Sequence, residues 1–169
     1  SAATGSCSRV AKAAQARLQA AGFAPADLTF VAPEGKPEEG NLVARIPGTD
    51  PSQKAVLLLA HIDVVEARRA DWERDPYILV EENGFFFGRG TADDKAMAAI
   101  FLDLIISLKR EGFTPRRTLK LALTCGEETS NLTNGVDYLL KNRRELLEAG
   151  FALNEGAGGI LSPEGKPLA

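Results

Sequence analysis

The residues best suited to chemistry in this sequence are one histidine and a set of acids that follow short apolar runs. The first group is Leu59-Ala60-His61-Ile62-Asp63. Along a strand, residues i and i+2 face the same side, so Asp63 is placed to accept one imidazole N–H of His61 and orient the ring for a metal at the other nitrogen. Taken alone, this segment fits a metal-free His–Asp pair equally well. The second group is Phe87-Gly88-Arg89-Gly90-Thr91-Ala92-Asp93-Asp94-Lys95, which runs into a helical pattern. Carboxylates at a helix start are favourable as caps, but capping does not account for the two glycines, the Arg and the Lys around them. Two acids would repel a phosphate, and the spacing is not that of a P-loop. The third is Thr124-Cys125-Gly126-Glu127-Glu128, where an apolar strand leads into paired glutamates, and the fourth is Leu153-Asn154-Glu155-Gly156. Together they deliver His61, Asp93, Glu127, Glu128 and Glu155 to the carboxyl edge of one sheet, where open α/β sheets bind ligands. A mixed imidazole and carboxylate set suits zinc or a similar divalent ion.

The elements that must position these residues can be read from periodicity. Residues 6–21 have a helical period at Val10, Ala14, Leu18 and Ala21, with Gly22 as the stop. Residues 28–32 and 41–46 read as strands, and the apolar run 55–60 as a strand buried on both faces. Asn83-Gly84 marks a tight hairpin between residues 78–80 and 85–87. Residues 94–110 form the longest helical pattern, with Met97, Phe101, Leu104, Ile105 and Leu108 as its core stripe. Residues 118–124 alternate as a strand, 136–148 read as one amphipathic helix, 151–153 as a strand, and 159–161 with 165–168 as a final hairpin. Strands alternating with helices predict a three-layer α/β/α sandwich around a mixed, mostly parallel sheet.

Composition excludes several alternatives. The 169 residues carry a net charge of −3 with scattered basic residues, unlike the one-sided cationic surface of a nucleic-acid binder. The longest apolar runs are far too short to span a bilayer. Cys125 follows an apolar strand and reads as a buried free thiol, with Cys7 unassigned. With a single histidine, any metal site built from this chain is mostly carboxylate.

Taken in order, His61-Ile62-Asp63, the Gly88-to-Lys95 run, Glu127-Glu128 and Asn154-Glu155-Gly156 resemble a zinc metallopeptidase family. Its members include glutamate carboxypeptidase, aminoacylase, acetylornithine deacetylase and succinyl-diaminopimelate desuccinylase. The resemblance runs from about Asn41 to the end of the chain. It implies that His61 and Glu155 bind a first zinc ion and that Asp93 bridges it to a second, held by Glu128. It also implies that Asp63 orients His61, that Glu127 is the general base, and that the Asp93–Asp94 peptide is cis. Cobalt or manganese are the expected substitutes for zinc. A Glu at position 155 points to carboxypeptidase or deacylase activity on a small peptide or an N-acyl amino acid.

The same resemblance implies a further histidine for the second metal and an inserted dimerisation domain through which a homodimer would form. With His61 alone present, residues 1–169 read as the N-terminal part of a metallohydrolase catalytic domain, without its C-terminal catalytic segment. Such a fragment is expected to bind metal weakly or at one site, to be inactive alone, and to expose apolar patches or open sheet edges. Arg89 and Lys95 are read as structural neighbours of the Asp pair. Relatives of this kind include cytoplasmic and exported proteins, so location stays open. The competing readings are a non-catalytic metal-binding or interaction module derived from such an enzyme, and a plain α/β domain whose acids are caps and surface charges.

Overall fold

A computed structural model describes residues 6–156 and positions 162, 163 and 166. Helix α1 (Cys7–Ala20) starts at Ser6, whose side chain accepts the Arg9 N–H, and it turns Cys7, Ala11, Ala14 and Leu18 inward. Strands β1 (Leu28–Val31), β2 (Asn41–Ile46) and β3 (Val56–His61) follow. A separate hairpin pairs β4 (Val80–Glu82) with β5 (Phe85–Phe87). Its two-residue turn places Asn83 and Gly84 at positive φ, the backbone that an Asn-Gly pair favours. Next come α2 (Lys95–Arg110), β6 (Leu119–Thr124), α3 (Gly135–Asn142), α4 (Arg144–Leu147) and β7 (Phe151–Leu153).

The main sheet has the order β1-β2-β6-β3-β7. β3 lies between β6 and β7 and is parallel to both, while β2 is antiparallel to β1 and β6. Four strands therefore run one way and β2 runs against them. Alternation in the strands feeds two cores. Leu42, Ala44, Leu58, Ala60, Leu121 and Leu123 pack under α1 and α2. Val43, Leu57 and Ala122 pack with Leu139 of α3 and Leu147 of α4. Helices thus cover both faces, the three-layer sandwich that the strand and helix alternation predicts. β7 is an edge strand, with Phe151 and Leu153 about half exposed.

Some expectations are corrected. Cys125 is not a free thiol. The first turn of α1 lies over the end of β6, so Cys7 and Cys125 meet in the same core and form a disulfide, with Cα atoms 5.9 Å apart across 118 residues of sequence. The single helix expected over residues 136–148 is two, because Arg143 leaves helical geometry at φ −146°, ψ 46°. The expected core stripe of α2 holds at Met97, Phe101, Ile105 and Leu108, which lie in or against the core, but Leu104 is 44% exposed while Ala98 and Ile106 are buried. Asp93 comes from the turn before α2 rather than from a strand of the main sheet. The final hairpin expected over 159–168 lies outside the described residues.

One buried polar residue joins these layers. Asn41, 1% exposed, donates from Nδ2 to the carbonyls of Val31 and Glu39 and accepts the Cys125 N–H at 2.9 Å. Truncating it leaves buried backbone groups without partners. Asn41→Ala is expected to cost about 2–4 kcal/mol in urea unfolding; a loss below about 0.5 kcal/mol, the usual range of surface changes, would contradict this role.

Candidate metal centre

β3 ends at His61, which pairs in register with Thr124 at the end of β6. That register sets the residues after β3 beside those after β6. Asp63, 6% exposed, accepts the N–H of Glu127 at 3.3 Å and of Glu128 at 3.0 Å, one on each carboxylate oxygen. Gly126, at φ +80°, makes this turn possible; a Cβ there would collide with the Thr133 carbonyl oxygen. Burial acts to raise the Asp63 carboxyl, but the His61 ring and the two amides outweigh it and hold it below its usual value.

His61 is 3% exposed. The nearest acceptor for Nδ1 is the backbone carbonyl of Asp63 at 3.2 Å, with the Asp63 carboxylate at 3.6 Å. The ring is therefore oriented by Asp63, but mainly through its backbone, while the carboxylate serves the two glutamate amides. A carbonyl only accepts, so Nδ1 carries a proton. Nε2 then faces two carboxylates, Asp93 Oδ1 at 3.0 Å and Glu155 Oε1 at 3.6 Å. That position calls for a proton or a cation. Its surroundings favour positive charge there: burial disfavours the charged ring, but Asp63, Asp93 and Glu155 outweigh it and raise the His61 pKa to about 9.

These three residues form a group whose ligand atoms all lie within 4.8 Å of one another. A tetrahedral zinc with bonds of about 2.0 Å separates its ligand atoms by roughly 3.3 Å, and the two separations from Nε2 bracket that figure. The donor set therefore fits such an ion. Crowding of negative charge points the same way. Burial first, and then neighbouring acids, raise Glu128 and Glu155 above their usual value, with His61 offsetting part of the effect. Asp93 is 64% exposed and Glu155 33%, so the group opens to solvent on one side. Among the described residues, Glu128 lies outside the three-residue group, and Glu127 is exposed beside it.

Two contributors, Asp94 and Glu39, are not evident from sequence. Asp94 is at the N-cap position of α2, yet its side chain caps nothing there; buried at 4% exposure, it accepts the His61 N–H at 3.3 Å. Its adjacency to Asp93 is a signal, but one that also fits a cap. The peptide between the two aspartates is cis, as the resemblance implies. Arg89 lies over the Trp72 ring, 5.5 Å from its centroid, and Lys95 packs against Gly90, consistent with structural roles. Glu39 supports the far side of the Glu127–Glu128 turn by accepting the Thr133 N–H at 2.9 Å and pairing with Lys36.

Three comparisons with known proteins bear on this geometry. The model of peptidase family M20/M25/M40 matches residues 57–167, more than half of the chain. The chain belongs to this family. It is 36% identical over 114 residues to the N-fatty-acyl-amino acid synthase/hydrolase PM20D1 of Bos taurus, covering 66% of this chain and 22% of that protein. It is 34% identical over 112 residues to aminoacylase-1 of Mus musculus, covering 65% and 27%. Among solved structures, the M20 family metallo-carboxypeptidase Sso-CP2 from Sulfolobus solfataricus superposes with a TM-score of 0.68 at 26% identity, covering 94% of this chain and 33% of that one. Human carnosine dipeptidase 1 shares the fold, with a TM-score of 0.69 at 21% identity over 93% of this chain and 34% of that one. The matched region is thus about a quarter of these curated relatives and a third of these structures.

Glu39 gives a pH test of the turn's support. Burial acts to raise its carboxyl, but hydrogen bonds from Thr133 and the Lys36 ammonium outweigh it and hold it below its usual 4.5. Its contribution is therefore present above that value and lost as pH falls through the lower, folded-state pKa. Glu39→Gln is expected to be about 1 kcal/mol less stable than the parent at pH 7, with the gap closing as pH falls below the usual 4.5 in urea titrations. A gap that is unchanged or wider at low pH would contradict it.

Proposed function

We propose that this chain is the metal-binding part of a zinc-dependent hydrolase that cuts peptide or N-acyl amino acid amide bonds, as a carboxypeptidase or deacylase. The observation that carries this reading is His61 Nε2 aimed at both Asp93 and Glu155. Family membership and the kinds of protein this chain resembles, an N-fatty-acyl-amino acid synthase/hydrolase, an aminoacylase and a metallo-carboxypeptidase, support the substrate class.

His61, Asp93 and Glu155 would hold the first ion, and Asp93 with Glu128 a second. Bound zinc supplies Lewis acidity and lowers the pKa of water. Glu127, exposed beside the group, acts as general base: it takes a proton from the attacking water and returns it to the leaving nitrogen. Asp63 keeps Glu127 and Glu128 at the correct height by accepting their amides. Glu155, rather than Asp, is the feature that favours carboxypeptidase or deacylase activity, through the resemblance described above. A single histidine leaves the second ion only Asp93 and Glu128 from these 169 residues, too few protein ligands for a tight tetrahedral site. The chain by itself therefore binds metal at one site and does not turn over.

Zinc titration by calorimetry separates the roles. Asp93→Ala is expected to weaken binding at least about tenfold and Glu128→Ala less than about threefold. Glu127→Gln should keep the parent affinity, yet lower amide hydrolysis in the full-length protein by about a hundredfold or more. Equal losses in the two ligand variants, steady zinc-dependent hydrolysis by this chain alone, or full activity in Glu127→Gln would overturn these assignments.

A further inference from the structure

Cys125 sits where β6 passes into the turn that carries Glu127 and Glu128, and it is held from three directions. Its N–H donates to Asn41 Oδ1 at 2.9 Å, its carbonyl accepts the Gly135 N–H at 2.7 Å, and its sulfur is bonded to Cys7. Cys7 is a fixed point rather than a fraying helix end. Next to it, Ser8 donates its N–H to the Glu38 carbonyl, and its hydroxyl accepts the Gly40 N–H at 2.9 Å. Both cysteines are buried, at 3% and 1% exposure, and their sulfurs lie within 4.8 Å of an Asp63 carboxylate oxygen. The disulfide thus backs the same carboxylate that holds the glutamate turn from its other side.

We infer that the Cys7–Cys125 disulfide is a positioning group for the site: it braces the Cys125–Glu128 turn against Asp63, and the turn is fully ordered only in the oxidised chain. A disulfide has no donor hydrogen, so both Asp63 oxygens stay with the Glu127 and Glu128 amides. Reduction by a dithiol adds two electrons and two protons, breaks the S–S bond and leaves two S–H groups. These are donors beside Asp63, and they compete with the amides for its oxygens. It also unties α1 from the end of β6, leaving packing and the Ser8 hydrogen bonds to hold the helix start. Formation of the bond passes the same two electrons to a disulfide oxidant, a reaction at home in oxidising compartments. The catalytic importance of the brace rests on the roles proposed above for Glu127 and Glu128; its effect on their backbone does not.

The test begins with intact mass spectrometry of the chain, denatured without reductant in the presence of an alkylating agent. No alkylation is expected, and two modified thiols would overturn the proposal. Amide hydrogen exchange is then compared between the parent, C7A/C125A and the better-filled C7V/C125A, at a temperature where circular dichroism shows each variant folded. Exchange at Glu127 and Glu128 should quicken at least about tenfold, with the β1–β2 ladder changing less than about twofold. Uniform acceleration would mark a purely global stabiliser, and unchanged exchange at Glu127 and Glu128 would refute the brace. Zinc affinity of the variants should fall about tenfold. Failure of the parent to bind zinc would count against the proposed function and leave the exchange result to decide the brace.

Discussion

The arrangement depends on one buried anion. Asp63 has almost no contact with solvent, and a carboxylate in that setting survives only when its oxygens are satisfied. Two backbone N–H groups from the turn after β6 meet that demand, and the same residue's carbonyl receives the His61 ring. The interaction therefore runs both ways. The glutamate turn keeps Asp63 ionised, and Asp63 fixes the height of Glu127 and Glu128 relative to His61. It is available only because β3 and β6 are parallel neighbours with His61 level with Thr124. A one-residue register shift would separate the partners and reverse which side chains face each core.

Around that anion the chain concentrates like charge where most folds avoid it. Asp93 and Glu155 converge on a single imidazole, with Glu128 near enough to feel their charge and Asp94 buried behind the ring. Crowded carboxylates are tolerated when a cation shares the site. Nδ1 is committed to a carbonyl, so the free face of His61 is the natural place for that cation. The scaffold supports this crowding with both neutral and charged contacts: Asn41 joins β2 to the end of β6, Gly126 lets the turn pass close under Thr133, and Glu39, paired with Lys36, accepts the Thr133 N–H. Membership of peptidase family M20/M25/M40 and a His61–Asp93–Glu155 group able to hold a metal ion both support the function proposed above.

Legibility from sequence followed the range of the signal. A continuous apolar run marks β3, alternation marks β6, a helical period marks α1 and α2, and Asn83-Gly84 marks its hairpin; these are signals between near neighbours in sequence. The acids were found because apolar runs led into them one after another. What escaped notice depends on partners distant in sequence. The Cys7–Cys125 bond spans 118 residues, and neither cysteine carries a local mark of its partner. Asn41 looks like any polar strand opener until Cys125 is brought beside it. Asp94 resembles a cap because it occupies the cap position, yet its bond goes to the backbone of another element. The i, i+2 geometry of His61 and Asp63 was a sound guide to proximity, but it could not tell backbone carbonyl from carboxylate as the ring's acceptor. The phase of α2 was misjudged at Leu104 because that helix is apolar around much of its circumference, so its period did not single out one face.

The most direct test of the account is crystallography of the chain soaked in zinc, with anomalous difference maps collected on both sides of the zinc absorption edge. The account predicts a peak within about 2.0–2.2 Å of His61 Nε2 and of carboxylate oxygens of Asp93 and Glu155. No peak there in a zinc-saturated crystal, or a peak bound to other residues while His61 Nε2 keeps its contact with Asp93, would contradict the claim that these three residues hold the metal.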